Sequence, residues 1–196
     1  MKKKLLTILL VLSIITFSIT TIYAADGGLL LASSGFEEQE KSNWCWVACA
    51  RNSVHHETSN HRTQKAAVMH IKGGILNWYP NVKGTIADIE EAAEYISKDT
   101  ESYTSENAKF AFSKFKEQVE YSNATIACAA LYDSDGERVT GHCMLVIGYY
   151  ISGNNNYLVY HDPANNSTYT CLFSEFLNGS FNGKKYEATC YNTETS

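Results

Sequence analysis

The sequence predicts an α+β fold in which an N-terminal helical half packs against a C-terminal antiparallel β-sheet. Three observations carry this. Up to Tyr121, apolar residues recur at helical spacing. Beyond it, β-branched and aromatic residues gather into short runs. Those runs are separated by Asp133-Ser134-Asp135-Gly136, Gly153-Asn154-Asn155-Asn156 and Asp162-Pro163-Ala164-Asn165-Asn166, turn chemistry that joins antiparallel neighbours.

Each element has its own justification. The spacing of Trp46, Val47, Ala48, Ala50 and Val54 predicts a buried helix from Cys45 to about His56, with Ser42 or Asn43 as its cap. A second helix is expected over Thr63 to Ile71, closed by Gly73-Gly74, and a turn-rich loop follows from Asn77 to Gly84. Thr85 to Ser97 is the third: Thr85 and Asp88 have capping-box spacing, and Ile86, Ile89, Ala93 and Ile96 form its stripe. The fourth is expected over Glu106 to Tyr121, with Phe112, Phe115 and Val119 on one face and Ser105 as cap. Strands are expected over Ala124 to Leu131, His142 to Ile151, Tyr157 to Tyr160 and Thr168 to Phe173. A helical turn from Ser174 to Leu177 and a closing strand around Tyr186 to Tyr191 complete the chain.

The 196 residues are 44% hydrophobic and 19% charged, a balance suited to one folded domain, and two prolines with no Ser/Gly linker mark no second one. Residues 1–24 read as a signal peptide. Lys2, Lys3 and Lys4 precede an apolar stretch from Leu5 to Ile22, and Ala24 and Ala25 suit cleavage. The chain is therefore expected to be secreted, and membrane-anchored only if that segment is retained. Residues 25–38 form a short Gly/Ser/acidic lead-in, and residues 39–196 the folded domain, expected as a monomer without a cofactor. Without the three lysines, 13 basic residues face 21 acidic ones, a charge of −8. That excludes nucleic acid and anionic membrane as favoured partners.

The stretch Gln39 to Arg51, QEKSNWCWVACAR, concentrates the chemistry. Cys45 falls in the first turn of its helix, where free N–H groups and the helix dipole favour a thiolate. A cysteine nucleophile also needs a base, and the base an orienting partner. His55, His56, His61 and His70 fall on or beside polar helical stretches and read as solvated. His142 opens an apolar strand, while Asp162 ends the next one, where Pro163 stops the ladder. Strands joined by a tight loop are antiparallel neighbours, so His142 and Asp162 are expected side by side. Trp46 reads as core, Trp44 as a wall of the substrate cleft, and Cys49 as a small buried hydrophobe. Cys143, one residue after His142, is expected to face away from the site. A zinc site drawn from Cys45, Cys49, His142, His161 and Asp162 lacks any CxxC or HxxxH spacing, so no metal is expected.

The order Gln39, Cys45, His142, Asp162 resembles the papain-like cysteine peptidases. The local signatures QEKSNWCWVAC, GHCMLVIGYY and YLVYHDP are most similar to the bacterial secreted and effector branch, the AvrRpt2-type and C39-like peptidases. The resemblance covers Gln39 to Phe173. It implies a papain-like fold and peptide-bond hydrolysis, with Cys45 as nucleophile, His142 as base and then acid, and Asp162 as orienter. It also implies Gln39 as a side-chain donor to the oxyanion hole, with the Cys45 N–H as the second donor. The chain departs from bacteriocin-leader peptidases, which carry an Asp-Cys-Gly-type motif where this sequence has Asn43-Trp44-Cys45-Trp46. It departs from plant and lysosomal papains in having an aspartate as third member and no long pro-domain.

A protein or peptide is the expected substrate. An acyltransferase, a transglutaminase-like enzyme or a cell-wall amidase would use the same residue order, and a non-catalytic binding protein on this scaffold is the third reading. Six cysteines and export permit disulfides. At most one or two are expected, drawn from Cys128, Cys171 and Cys190. Asn123, Asn165, Asn166 and Asn178 begin glycosylation sequons, so the source stays open between bacterial and eukaryotic.

Overall fold

In a computed structural model of the protein, the described residues are 26–29, 35–58, 61–75, 78–180 and 183–194. The expected signal peptide lies outside them. Five helices occur among these residues: α1 (Cys45–Glu57), α2 (Gln64–Lys72), α3 (Ile86–Ser97), α4 (Phe112–Glu120) and α5 (Phe173–Asn178). None is long and apolar enough to cross a membrane. The strands are β1 (Gly27–Leu29), β2 (Tyr103–Glu106), β3 (Thr125–Tyr132), β4 (Arg138–Ser152), β5 (Asn155–Asp162), β6 (Ser167–Leu172) and β7 (Lys184–Asn192).

The strands form one antiparallel sheet in the order β2-β7-β3-β4-β5-β6. β1 pairs with the later part of β4, Gly27 opposite Tyr150. Helices and antiparallel sheet together give the α+β class expected from the sequence, consistent with a papain-like fold. The hairpin between β4 and β5 turns at Gly153, which has φ +59°, a conformation glycine adopts without the Cβ penalty. It sets Leu145 opposite His161 and so brings the start of β4 toward the end of β5.

The α1 helix is buried on every side, Trp46 through Val54 without interruption. The polar members of that run find partners, with Arg51 Nε the exception. Arg51 pairs with Glu37 at 2.8 Å, and Ser53 shares a hydrogen bond with Tyr103 Oη at 3.2 Å. Apolar residues of α1 and α3, such as Val47, Val54, Ile89 and Ile96, join the strand residues Ile126, Leu145 and Ile147 in one core. A second group of rings, Phe115, Phe173, Phe176 and Tyr186, packs α4 and α5 onto β7.

Two elements differ from expectation. The fourth helix begins only at Phe112, because Tyr103–Glu106 pairs instead with Thr189–Asn192 of β7. Ser105 is thus a strand residue rather than a cap, and its hydroxyl and N–H both donate to Glu90. The lead-in contributes β1 to the sheet, although its Gly/Ser/acidic composition carries no strand pattern.

Candidate active site

Cys45 is the first residue of α1. The expected caps do not act: the N-cap position is Trp44, without a side-chain cap bond, and Asn43 is bound to Asn81 through its N–H and its side chain. An uncapped start leaves first-turn N–H groups without an intrahelical partner, directed at the Cys45 end of the helix.

His142 follows Gly141 on β4, and Asp162 closes β5. His142 Nε2 and Asp162 Oδ1 are 2.7 Å apart, with side chains 11% and 18% exposed. Asp162 Oδ1 also accepts the Ala164 N–H at 2.9 Å, which fixes the carboxylate as the chain turns through Pro163. The carboxylate only accepts, so the Nε2 proton belongs to the histidine, and Nδ1 is the nitrogen left for Cys45. The Cys45 thiol lies within hydrogen-bond reach of His142. Three of the four residues singled out in the sequence are thus assembled in the order sulfur, imidazole, carboxylate.

Burial would lower the His142 pKa, but hydrogen bonds to Asp162 and Cys45 outweigh it and raise it to about 9. Burial would likewise raise Asp162, but the bond and charge of His142, with the Ala164 N–H and Lys184, together outweigh it and hold the carboxyl below its usual range. The Cys143 thiol and burial push Cys45 well above the ordinary thiol range, and the pull of His142 in the other direction only partly offsets them.

Gln39 stands apart from this cluster. Its N–H donates to the Pro163 carbonyl at 2.9 Å, which joins its segment to the turn after Asp162. Its side-chain Nε2 donates to the Lys41 carbonyl at 3.0 Å. An amide nitrogen carries two hydrogens, so one N–H remains for another acceptor.

Cys45 and His142 open onto a cleft of about 770 Å³, also lined by Trp46, Gly84, Thr85, Gly141 and Cys143. Charge enters its rim through Lys83, Arg138 and Glu187, the last two paired at 3.2 Å. Trp44 does not wall this cleft. It is fully buried, with its indole N–H on the Pro80 carbonyl at 3.0 Å. Trp46 is a core residue, as expected, and also lines the cleft, where Gly84 meets it so closely that a Cβ there would lie 2.4 Å from the ring.

Cys143 also differs from expectation: it lines the cleft and lies within hydrogen-bond reach of Cys45. Simple alternation along β4 would send it away. The pairing of β4 with β3 is regular at His142 and Cys143, and the nearby bulge belongs to β7, so the strand register does not explain the placement. Cys128 and Cys143 face each other across β3 and β4 with sulfurs 3.1 Å apart, and all six cysteines are free thiols, including Cys171 and Cys190. Among the described residues, no three His, Cys, Asp or Glu side chains are arranged to hold a metal.

The model of the Peptidase_C39 like family matches residues 34–189, a span that takes in Gln39, the Cys45 helix and the two strands bearing His142 and Asp162. The chain belongs to the Peptidase_C39 like family. Membership in this cysteine peptidase family points to hydrolase chemistry at a thiol, and the α+β architecture agrees with it. No curated protein matches the chain. Within this C39-like chain, Trp46, Gly84, Cys128 and Cys143 are cleft residues that sequence reasoning did not assign. Their placement follows from long-range packing, for which no local motif exists.

Proposed function

We propose that this member of the family is a secreted cysteine endopeptidase with Cys45 as nucleophile. The observation that carries the reading is the chain of contacts from Asp162 through His142 to Cys45 at an uncapped helix start beside a cleft. In this mechanism the Cys45 thiolate, paired with the His142 imidazolium, attacks the peptide carbonyl and a C–S bond forms. The oxyanion is met by the Cys45 N–H and by the free Nε2 hydrogen of Gln39. His142 then gives its proton to the leaving amine, and the C–N bond breaks. Water, deprotonated by His142, cleaves the thioester and restores the thiol.

Secretion is supported by the lysine-led apolar segment before Ala24. The finer placement, with the bacterial AvrRpt2-type effectors, rests on the three local signatures, and a monomer acting on protein or peptide without a cofactor completes the reading.

Cys45→Ala should abolish peptide hydrolysis while circular dichroism and the thermal midpoint stay unchanged. Mass spectrometry of the products distinguishes hydrolysed peptide from amine-coupled product. Full turnover by a folded Cys45→Ala variant would sink the proposal, and amine coupling by the parent protein would redirect it to acyl transfer.

A further inference from the structure

The segment that carries Gln39 has neither helix nor strand over residues 36–39, so no backbone ladder fixes it. Two buried carboxamides take the place of one. Asn52 of α1, fully buried, accepts the Glu37 N–H at 2.9 Å and donates to the Glu37 carbonyl at 3.0 Å. Gln64, the first residue of α2 and also fully buried, accepts the Glu40 N–H at 3.2 Å and donates to the Glu38 carbonyl at 2.9 Å. Gln64 therefore holds the main chain on both sides of Gln39, whose own N–H is fixed to Pro163.

A buried carboxamide is a costly way to fill space. It must be desolvated, and it returns only the modest net gain of matched hydrogen bonds, where a methionine of similar shape would need none. What the carboxamide supplies and an apolar side chain does not is a defined backbone position. The residue at that position, Gln39, has one side-chain N–H turned to Lys41 and one left over.

We propose that Gln64 is a positioning residue for the oxyanion donor: by bracketing Glu38 and Glu40 it holds the Gln39 amide where the tetrahedral intermediate forms. This rests on the reading of Gln39 as that donor. Gln64 does not touch substrate. Its effect is transmitted through the backbone, and it belongs to the acylation step rather than to the reactivity of the thiol.

That division provides the test. Alkylation of Cys45 by iodoacetamide needs the thiolate but develops no oxyanion, whereas p-nitrophenyl acetate hydrolysis needs both. Gln64→Met should lower kcat on the ester by roughly ten- to a hundredfold with little change in KM, and leave the alkylation rate as in the parent. Gln39→Ala should lower kcat at least as far, and the double variant no further than Gln39→Ala alone. Gln64→Glu keeps the acceptor and regains the donor only when protonated, so its kcat relative to the parent should recover as pH falls. It also serves where the methionine variant does not fold.

An unchanged kcat in the Gln64 variants beside a slow Gln39→Ala overturns the positioning role alone, as does a fall in alkylation parallel to the fall in kcat. Full activity of Gln39→Ala with an inert Cys45→Ala overturns the oxyanion assignment and this proposal with it. Ester hydrolysis that persists in Cys45→Ala overturns the peptidase reading itself.

Discussion

Burial alone would hold His142 neutral at physiological pH, and the hydrogen bond to Asp162 at 2.7 Å, with the contact to Cys45, reverses this and carries its pKa to about 9. Cys143 cannot take the negative charge from Cys45, because its contact with Cys128 and its own burial keep it well above the ordinary thiol range. Cys143 and burial push Cys45 up as well, so a Cys45 thiolate depends on the His142 imidazolium beside it, which alone pulls that thiol down. Activity that depends on the thiolate–imidazolium pair should then fall as pH rises through about 9, where His142 loses its proton. Asp162→Asn removes one of the contributions that together outweigh burial, so the alkaline limb should move down from about 9. Turnover at pH 7 should fall on the order of 10²-fold. A pH profile of kcat/KM for the two proteins measures both, and an unmoved alkaline limb would assign it to another group.

At the scale of elements, α3 shows how local chemistry and the cleft are joined. Asp88 accepts the Thr85 N–H at 2.5 Å and the Lys72 ammonium of α2 at 2.6 Å, while Thr85 Oγ1 accepts the Asp88 N–H at 3.2 Å. The capping box thus starts α3 beside the cleft and ties it to α2. Thr85→Ala should cost about 1 kcal/mol, a fall of roughly 2–4 °C in thermal midpoint, and Thr85→Ser should recover most of it. Calorimetry of the two variants checks this, and equal losses in both would point to the lost methyl rather than the cap. This box was legible in the sequence because its partners are three residues apart, and the β4–β5 hairpin was legible because its turn is local. The pairing of Tyr103–Glu106 with β7 was not, since its partner lies some 85 residues on and the stripe of Phe112, Phe115 and Val119 extends by eye into the same region. At the site the same distinction holds. Cys45 and Asp162 stand at element ends marked by a helix start and a proline, and His142 follows a glycine near the start of β4, whereas the place of Cys143 beside the cleft against simple alternation has no local mark in the sequence.

For the molecule as a whole, Glu57 and His142 make stability decline as pH rises, in adjacent windows. Glu57 ends α1, where the helix dipole disfavours a carboxylate. Burial and the charge of Glu101 raise it from 4.5 to about 7. A folded-state value above the unfolded one means that the native state binds the proton more tightly, so this contribution is present below about 4.5 and lost as pH rises through 7. His142 has the same sign at higher pH: its contribution is complete below 6.5 and lost through about 9. These two contributions should therefore decline in turn, as two steps between pH 4.5 and 9, while His56, His61 and His161, held by burial below the ordinary histidine value, add stability as pH rises toward 6.5. Glu57→Gln should flatten the first step alone, being more stable than the parent at pH 8 by about 1–2 kcal/mol after allowance for solvent screening, and equal to it near pH 4.5. Asp162→Asn should flatten the second alone. Urea titrations at pH 4.5, 7 and 9.5 separate the steps, and a gain for Glu57→Gln that is the same at all three would place its effect in packing rather than in ionisation. Because the second step follows the proton that the proposed mechanism requires, it should end in the parent protein near the pH at which activity is half lost, about 9.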